Sequence, residues 1–205
     1  YFFNSIDEIL LGKIKYNRLL DTGTYFKEWN ELCELDITCD GIKIKSHNGT
    51  IRNVYENNYR KYIDIGIKGK LKTFLTKNNA SVCATVWGHG GVGKTATIQS
   101  LCEDLANDEK KVFDYIVFLS AKDRRYDYYT GKIEDINDRI VTFADLIKGV
   151  NKILFNIEND DPEQIIQING KKIFLVVDDF ETFPNEEIDK IEEFISKLNT
   201  NHHKV

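Results

Sequence analysis

The chain has 205 residues, 41% of them hydrophobic and 30% charged, with a formal net charge of −5. That balance is typical of a globular protein and argues against a strongly nucleic-acid-binding chain, which is usually basic. No apolar run approaches the roughly 20 residues that span a bilayer, and no charged start followed by an apolar stretch marks a signal peptide. The expectation is therefore a cytoplasmic protein with no membrane partner and none indicated among nucleic acids. Cys33, Cys39, Cys83 and Cys102 form no C-x-x-C pair, and Cys83 and Cys102 fall on apolar faces, so all four read as reduced core thiols. His47, His89, His202 and His203 show no ligand spacing. The chain starts at Tyr1 and contains no methionine, which predicts a piece of something longer.

Residues 1–60 are expected to form a small α+β region, either the tail of an effector domain or a linker. Ile6, Ile9, Leu10 and Ile14 make a helical stripe after Ser5-x-x-Glu8, the pattern of a capping box. A second helical piece is predicted over Tyr25–Leu35, with Tyr16, Tyr25, Phe26 and Trp29 as ordinary core. The period then changes. Asp36–Lys45 alternates around Asp40-Gly41, a hairpin signal, and His47-Asn48-Gly49-Thr50 offers a second turn leading into a strand over Thr50–Tyr55. Asp36, Asp40, His47 and Asp64 can be drawn as a nuclease cluster, but acids in turns are normally just solvated, and that reading is preferred.

The second region, 61–205, begins with a helix predicted over Lys68–Thr76. Ile65-Gly66 precedes it, and a turn that packs on a nucleotide base and a plain linker are equal readings there. Ser81–Trp87 (SVCATVW) is short, mostly apolar and bounded by polar residues and glycine, so it predicts a buried strand. Directly after it comes Gly88–Thr95, GHGGVGKT, which matches G-x-x-x-x-G-K-[ST] at every fixed position. Gly88, Gly90, Gly91 and Gly93 allow tight bending and positive φ. Successive backbone N–H groups can then turn inward around a phosphate. A helix with Ala96, Ile98, Leu101, Cys102 and Leu105 at helical spacing follows and adds the positive end of its dipole. The loop residues Gly88, His89, Gly90, Gly91, Val92, Gly93, Lys94, Thr95 and Ala96 are the predicted nucleotide-binding set. Lys94 is placed to reach the β- and γ-phosphates, and the Thr95 hydroxyl to hold Mg²⁺.

Tyr115–Ala121 (YIVFLSA) predicts a second buried strand. Lys122–Arg139 is polar and tyrosine-rich and reads as a surface loop or short insertion, with Arg124 and Arg125 read as a solvated pair in preference to a contact with a phosphate or a partner. Phe143, Leu146, Ile147, Val150, Ile153 and Leu154 predict a helix over Thr142–Ile157, capped by Thr142 with Asp145. Asp161-Pro162 predicts a short helix with proline at its first position. Lys171–Glu181 (KKIFLVVDDFE) is a strand with five consecutive apolar residues ending in Asp178-Asp179. Ligands sit outside the carboxyl ends of such strands. Asp178 is placed to hold Mg²⁺ and Asp179 to orient or deprotonate an attacking water, with Glu181 a weaker choice.

GHGGVGKT, then Phe113–Asp123 (FDYIVFLSAKD, with Ser120 closing the strand), then IFLVVDDFE resemble the first three motifs of the NB-ARC branch of the STAND P-loop NTPases. The resemblance covers Ile65–Val205. It implies an α/β fold, a parallel sheet flanked by helices, and an ATP/ADP switch with slow Mg²⁺-dependent hydrolysis. It also implies control of self-association and of an attached effector; bacterial members of this type commonly act in anti-phage defence, and plant and animal members in immunity or cell death. The family's arginine-bearing sensor strand follows the helix corresponding to Asn185–Leu198, and in related ATPases it lies between the phosphate-loop strand and the strand ending in Asp178. The chain reaches Val205 where that strand begins, so the nucleotide domain is expected to be incomplete at its C-terminus and not a stable, active ATPase by itself. An ATP-driven DNA motor or loader of the AAA+ kind shares the two core motifs and is the alternative. A nucleotide-regulated scaffold that binds ADP and barely hydrolyses ATP is a third reading.

Overall fold

The computed structural model describes residues 37–39, 42–55, 62–64, 66–122, 124–127, 132–135 and 140–205. The chain divides into two units, 1–35 and 36–205. The helices expected within the first 35 residues, the turn residues Asp36 and Asp40, and Ile65 lie outside the described residues.

The second unit is an α/β layer structure with a mixed sheet. Its strands are β1 (Ile37–Cys39), β2 (Ile42–His47), β3 (Thr50–Asn53), β4 (Tyr115–Ser120), β7 (Ile173–Asp178) and β8 (His203–Lys204), and that is also their order in space. β5 (Arg124–Asp127) and β6 (Lys132–Asp135) form a separate antiparallel ribbon, where a surface loop was expected. The helices are α1 (Ile67–Lys77), α2 (Lys94–Ala106), α3 (Phe143–Phe155), α4 (Glu163–Ile166) and α5 (Asn185–Lys197). No described helix is long and apolar enough to cross a membrane.

The two expected hairpins form. β1 and β2 pair antiparallel, from Ile37 opposite Ile44 to Cys39 opposite Ile42. His47 pairs with Thr50 across Asn48 (φ 46) and Gly49 (φ 78). Two successive positive φ values are the backbone of a type I′ turn, and asparagine and glycine are the residues that tolerate them. The boundary falls elsewhere than expected, however. β3 runs parallel to β4, with Ile51 opposite Tyr115 and Arg52 opposite Ile116, so the meander of residues 37–53 extends the same sheet rather than an N-terminal domain ending at 60. Asn53 closes this pairing. Its buried amide donates to the Phe118 carbonyl at 2.7 Å and accepts the Phe118 N–H at 2.8 Å, continuing the ladder with a side chain.

β4 and β7 are the centre. They pair in parallel over six residues each, from Tyr115 opposite Ile173 to Ser120 opposite Asp178. Alternate residues face opposite sides, so both strands are apolar on both faces. Ile116, Phe118 and Phe174 pack with Leu75, Leu101 and Leu105 of α1 and α2. Val117, Ile173 and Leu175 pack with Ile147, Val150 and Phe194 of α3 and α5.

Helix α3 has the apolar face its sequence requires, burying Leu146, Ile147, Val150, Ile153 and Leu154. Its start is a full capping box: the Thr142 hydroxyl accepts the Asp145 N–H at 3.1 Å, and the Asp145 carboxylate accepts the Thr142 N–H at 3.0 Å. In the short helix α4, Pro162 is the cap rather than the first helical residue. Helix α1 is tied to α2 by an ion pair from Lys68 to Asp104 (2.6 Å), and to the segment just past α2 by one from Lys72 to Asp108 (3.0 Å).

Ser81–Trp87 is the clearest departure from expectation. It is extended but belongs to no strand, and exposure alternates along it, ending in Trp87 at 88% exposed. Cys83, expected in the core, is exposed, whereas Cys102 is buried. The reason is a shortage of neighbours. Only the chain end pairs with the segment: the Val205 N–H donates to Val82 O and the Ala84 N–H to Val205 O, both at 2.9 Å.

Candidate functional site

The glycine run leaves Trp87 at the carboxyl end of this extended segment and turns into α2. Gly88 to Val92 are exposed. Gly93 is the N-cap of α2 with φ 89 and ψ 22, and no side chain caps the helix start. A residue with a Cβ is strained in that conformation. Gly91 also has positive φ (79), and a Cβ on either glycine would meet nothing within 4 Å. Gly90 does not take positive φ, contrary to expectation. The consequence is an open concave run of backbone leading into an uncapped helix N-terminus, where unpaired N–H groups and the dipole favour an anion.

Lys94 folds back on this loop. Its Nζ donates to Gly88 O at 2.6 Å and lies 3.4 Å from His89 O. An ammonium held by the loop's own carbonyls stands at the loop mouth as a charge available to a bound anion.

Beneath the loop, three side chains from three elements converge. Thr95, the second residue of α2, donates its hydroxyl to Asp178 Oδ1 at 2.9 Å, with Oδ2 at 3.2 Å. Ser120, the last residue of β4, stands opposite Asp178 in register, and its Oγ lies 3.5 Å from Asp178 Oδ2. Ser120 Oγ also accepts the Lys122 N–H at 3.2 Å. The strand ends and the helix start are thus aligned at one level, and 83 residues separate Thr95 from Asp178 in the chain. Burial, followed by the charge of neighbouring Asp179, pushes the Asp178 carboxyl above the usual carboxylate range; the Thr95 hydroxyl, Lys122 and Ser120 pull the other way. A half-buried carboxylate in that position gains from a cation.

Asp179 follows in the left-handed region (φ 55) and caps a turn of 3₁₀ helix over Phe180–Thr182. Its backbone conformation turns it away from the strand direction that Asp178 continues. Glu181 is exposed. Among the described residues no group of three His, Cys, Asp or Glu side chains is placed to hold a metal alone. Mg²⁺ that shares its shell with phosphates and water needs only one or two protein oxygens, and Thr95 with Asp178 fits that need.

Two contacts were not legible in the sequence. The Tyr62 hydroxyl lies 3.5 Å from Thr97 Oγ1 in the first turns of α2, and Lys68 reaches Ser100 at 2.7 Å. The turn between them is closed by Gly66 N–H to Asp64 Oδ1 at 2.8 Å, with Ile63 and Ile67 exposed. Asp64 is therefore a turn acid that accepts the Gly66 N–H, while Asp36 and Asp40, drawn with it as a nuclease cluster, lie outside the described residues. Thr97 and Gln99 are buried although polar, and the Tyr55 hydroxyl bonds Gln99 O at 3.2 Å. No family model matches this chain, and neither does any curated protein or solved structure.

Proposed function

We propose that Gly88–Ala96 binds the phosphates of ATP or ADP, that Mg²⁺ is held by Thr95 and Asp178, and that the protein is a nucleotide-dependent switch with slow ATP hydrolysis. The observation that carries this reading is the direct bond of the Thr95 hydroxyl to the Asp178 carboxylate under an uncapped glycine loop. In this reading the backbone N–H groups of His89 to Ala96 orient the phosphates, and Lys94 exchanges its bond to Gly88 O for the β- and γ-phosphate oxygens. Mg²⁺ supplies charge neutralisation across the phosphates. Asp179 accepts a hydrogen bond from the attacking water, and Ser120 holds the Asp178 carboxylate in place. The turn at Tyr62–Ile67, lying along the first turns of α2 with two exposed isoleucines, supports packing on the adenine base over a plain linker. The three-motif resemblance extends the reading to an NB-ARC-like STAND NTPase that controls self-association and an attached effector.

Calorimetric titration with ATP and ADP in the presence of Mg²⁺ tests the site. A hydrogen bond to a charged group is worth about 1.5–3 kcal/mol. Lys94→Ala should therefore weaken binding by at least about tenfold while leaving the fold intact by circular dichroism. Unchanged affinity in that variant would sink the assignment.

A further inference from the structure

A second concave site lies at the other end of the sheet from the glycine loop. β4 and β7 carry Ser120 and Asp178 at their carboxyl ends. Their amino ends, about 17 Å away along the strands, open into a pocket of about 280 Å³. Lys111 and Asp114 line it from the segment before β4, Gly170 and Lys172 from the turn before β7, and His202 from just before β8. Gly170 has φ 69, and a Cβ there would meet nothing within 4 Å, so the mouth is open.

The charges at this pocket do not balance. Asp114 is its carboxylate, and that group is already engaged. Its Oδ1 accepts Lys111 Nζ at 2.6 Å and has Lys171 Nζ at 3.7 Å; its Oδ2 accepts the Lys172 N–H at 2.8 Å. Burial alone would raise the Asp114 carboxyl, but the Lys111 bond, the Lys172 N–H and the two ammonium charges hold it below the usual carboxylate range. Lys111, Lys171 and Lys172 thus set three positive charges against one negative, an excess of two. Of the other charges on the segment before β4, Asp108 is taken by Lys72, and Glu109 and Lys110 offset one another. Lys172 is exposed, and its ammonium makes no ion pair among the described residues.

His202 adds a directed donor. Its backbone is fixed on both sides: the His202 N–H donates to Asn199 O at 3.0 Å, and His202 O accepts the Ile173 N–H at 2.7 Å. Ile173 lies level with His203, so Lys172 and His202, one residue earlier in each segment, share the opposite face. The His202 Nδ1 is closed off from solvent and has no hydrogen-bond partner. A buried N–H is left orphaned less readily than a buried acceptor, so the neutral ring carries its proton on Nε2. Nε2 is then the nitrogen left to the pocket, and it arrives as a donor.

We propose that this pocket binds a small phosphate-bearing dianion, held by the Lys111 and Lys172 ammonium groups and the His202 Nε2–H. Phosphate monoesters carry a charge of about −1.5 to −2 at neutral pH, which matches the excess of two, and their oxygens can accept from all three donors. A monocarboxylate leaves one positive charge over. Lys111 reaches the anion without releasing Asp114, because an ammonium has three N–H donors. The pocket is separate from the glycine loop, and the inference stands without the nucleotide reading.

Chemical footprinting read by mass spectrometry tests this in the Lys94→Ala variant, where the glycine loop no longer competes for phosphate. Inorganic phosphate in the millimolar range should slow acetylation of Lys111 and Lys172 and carbethoxylation of His202, and leave Lys190 of α5 unchanged. Acetate at equal ionic strength should protect none of them. Lys172→Gln, an exposed change that leaves the core alone, should weaken protection by phosphate at least about tenfold. His202→Gln keeps an N–H donor and should retain most of the protection of Lys111 and Lys172; His202→Phe should lose it. Equal protection by acetate and phosphate would overturn the proposal, because it reduces the effect to general screening. So would phosphate protection that survives both Lys172→Gln and His202→Phe, or no protection in the millimolar range. Glycerol phosphate separates the two sources of the anion. Protection at a lower concentration than with the free ion assigns the remaining volume to an organic group, and protection at the same concentration assigns the site to inorganic phosphate.

Discussion

Ser81–Trp87 and Ile173–Asp178 are two short apolar segments that each run into the candidate site, yet only one is a strand. Ile173–Asp178 pairs with β4 at every residue and buries Ile173, Phe174 and Leu175. Ser81–Trp87 has comparable apolar content and two backbone bonds, both to one residue of the chain end. Its side chains alternate between half-buried and exposed because only one edge of it is engaged. The difference teaches that β-structure at this level is conferred by neighbours. Strand propensity describes a fit to a pleated, half-buried surface, and where that surface is missing the propensity has nothing to act on.

The sharpest way to break this comparison is truncation in each segment. Leu175→Ala removes a buried side chain between two helices and should cost about 2–5 kcal/mol. Val86→Ala, in the half-buried segment, should cost less than about 1 kcal/mol on the same urea unfolding curves, because little apolar area leaves water there. Similar losses in both would mean that Ser81–Trp87 is packed as firmly as β7.

The next test concerns the carboxylate at the end of the well-formed strand. The fold holds the Asp178 pKa above its usual value, first through burial and then through Asp179. The folded state then binds its proton more tightly than the unfolded chain does. Stability is lost as pH rises from about 4 through the raised folded value, and ionised Asp178 is a net cost at neutral pH. Asp178→Asn should therefore melt higher than the native protein near neutral pH without Mg²⁺, and the gap should close towards about pH 4. On the nucleotide reading, the same variant loses the Mg²⁺-dependent part of ATP affinity. A variant that melts lower at neutral pH would show that the bonds from Thr95 and Ser120 outweigh burial.

The smallest effect separates two helix starts. α3 opens with a reciprocal Thr142–Asp145 box, and the Glu187 carboxylate also accepts the Phe143 N–H at 2.6 Å. α2 opens at Gly93 with no side-chain cap. Thr142→Ala should cost about 1 kcal/mol in thermal or urea unfolding. Gly93→Ala forces a Cβ into positive φ and offers the helix start no compensating cap, so its loss of stability should exceed that of Thr142→Ala only if the loop conformation is retained.

Local signals carried most of the elements. The type I′ turn at Asn48-Gly49, the Thr142 box, the apolar stripe of α3 and the continuous run into Asp178 each rest on residues within a few positions of one another, where backbone sterics and side-chain spacing decide. The glycine loop was legible for the same reason, as were Lys94 and Thr95 at the start of α2. What the sequence could not show is which edges meet. Residues 37–53 carry hairpin signals but nothing that says they join β4, so the expected boundary at 60 missed a sheet contact made by Ile51 and Arg52. The hydroxyls of Tyr55 and Tyr62 reach Gln99 O and Thr97 Oγ1 over 44 and 35 residues, contacts with no pattern of their own.

The sequence alone thus determined the chemistry available to this protein: an anion-ready glycine turn, a lysine, a hydroxyl and two acids at a strand end, because residue type and spacing set those capacities. Only the tertiary structure decided that Thr95, Ser120 and Asp178 meet at one level beneath the loop, because parallel register across β4 and β7 fixes heights along the sheet. It also decided that the segment carrying the loop remains half-paired, because a ladder forms only where a neighbouring backbone runs alongside, and here only Val205 does.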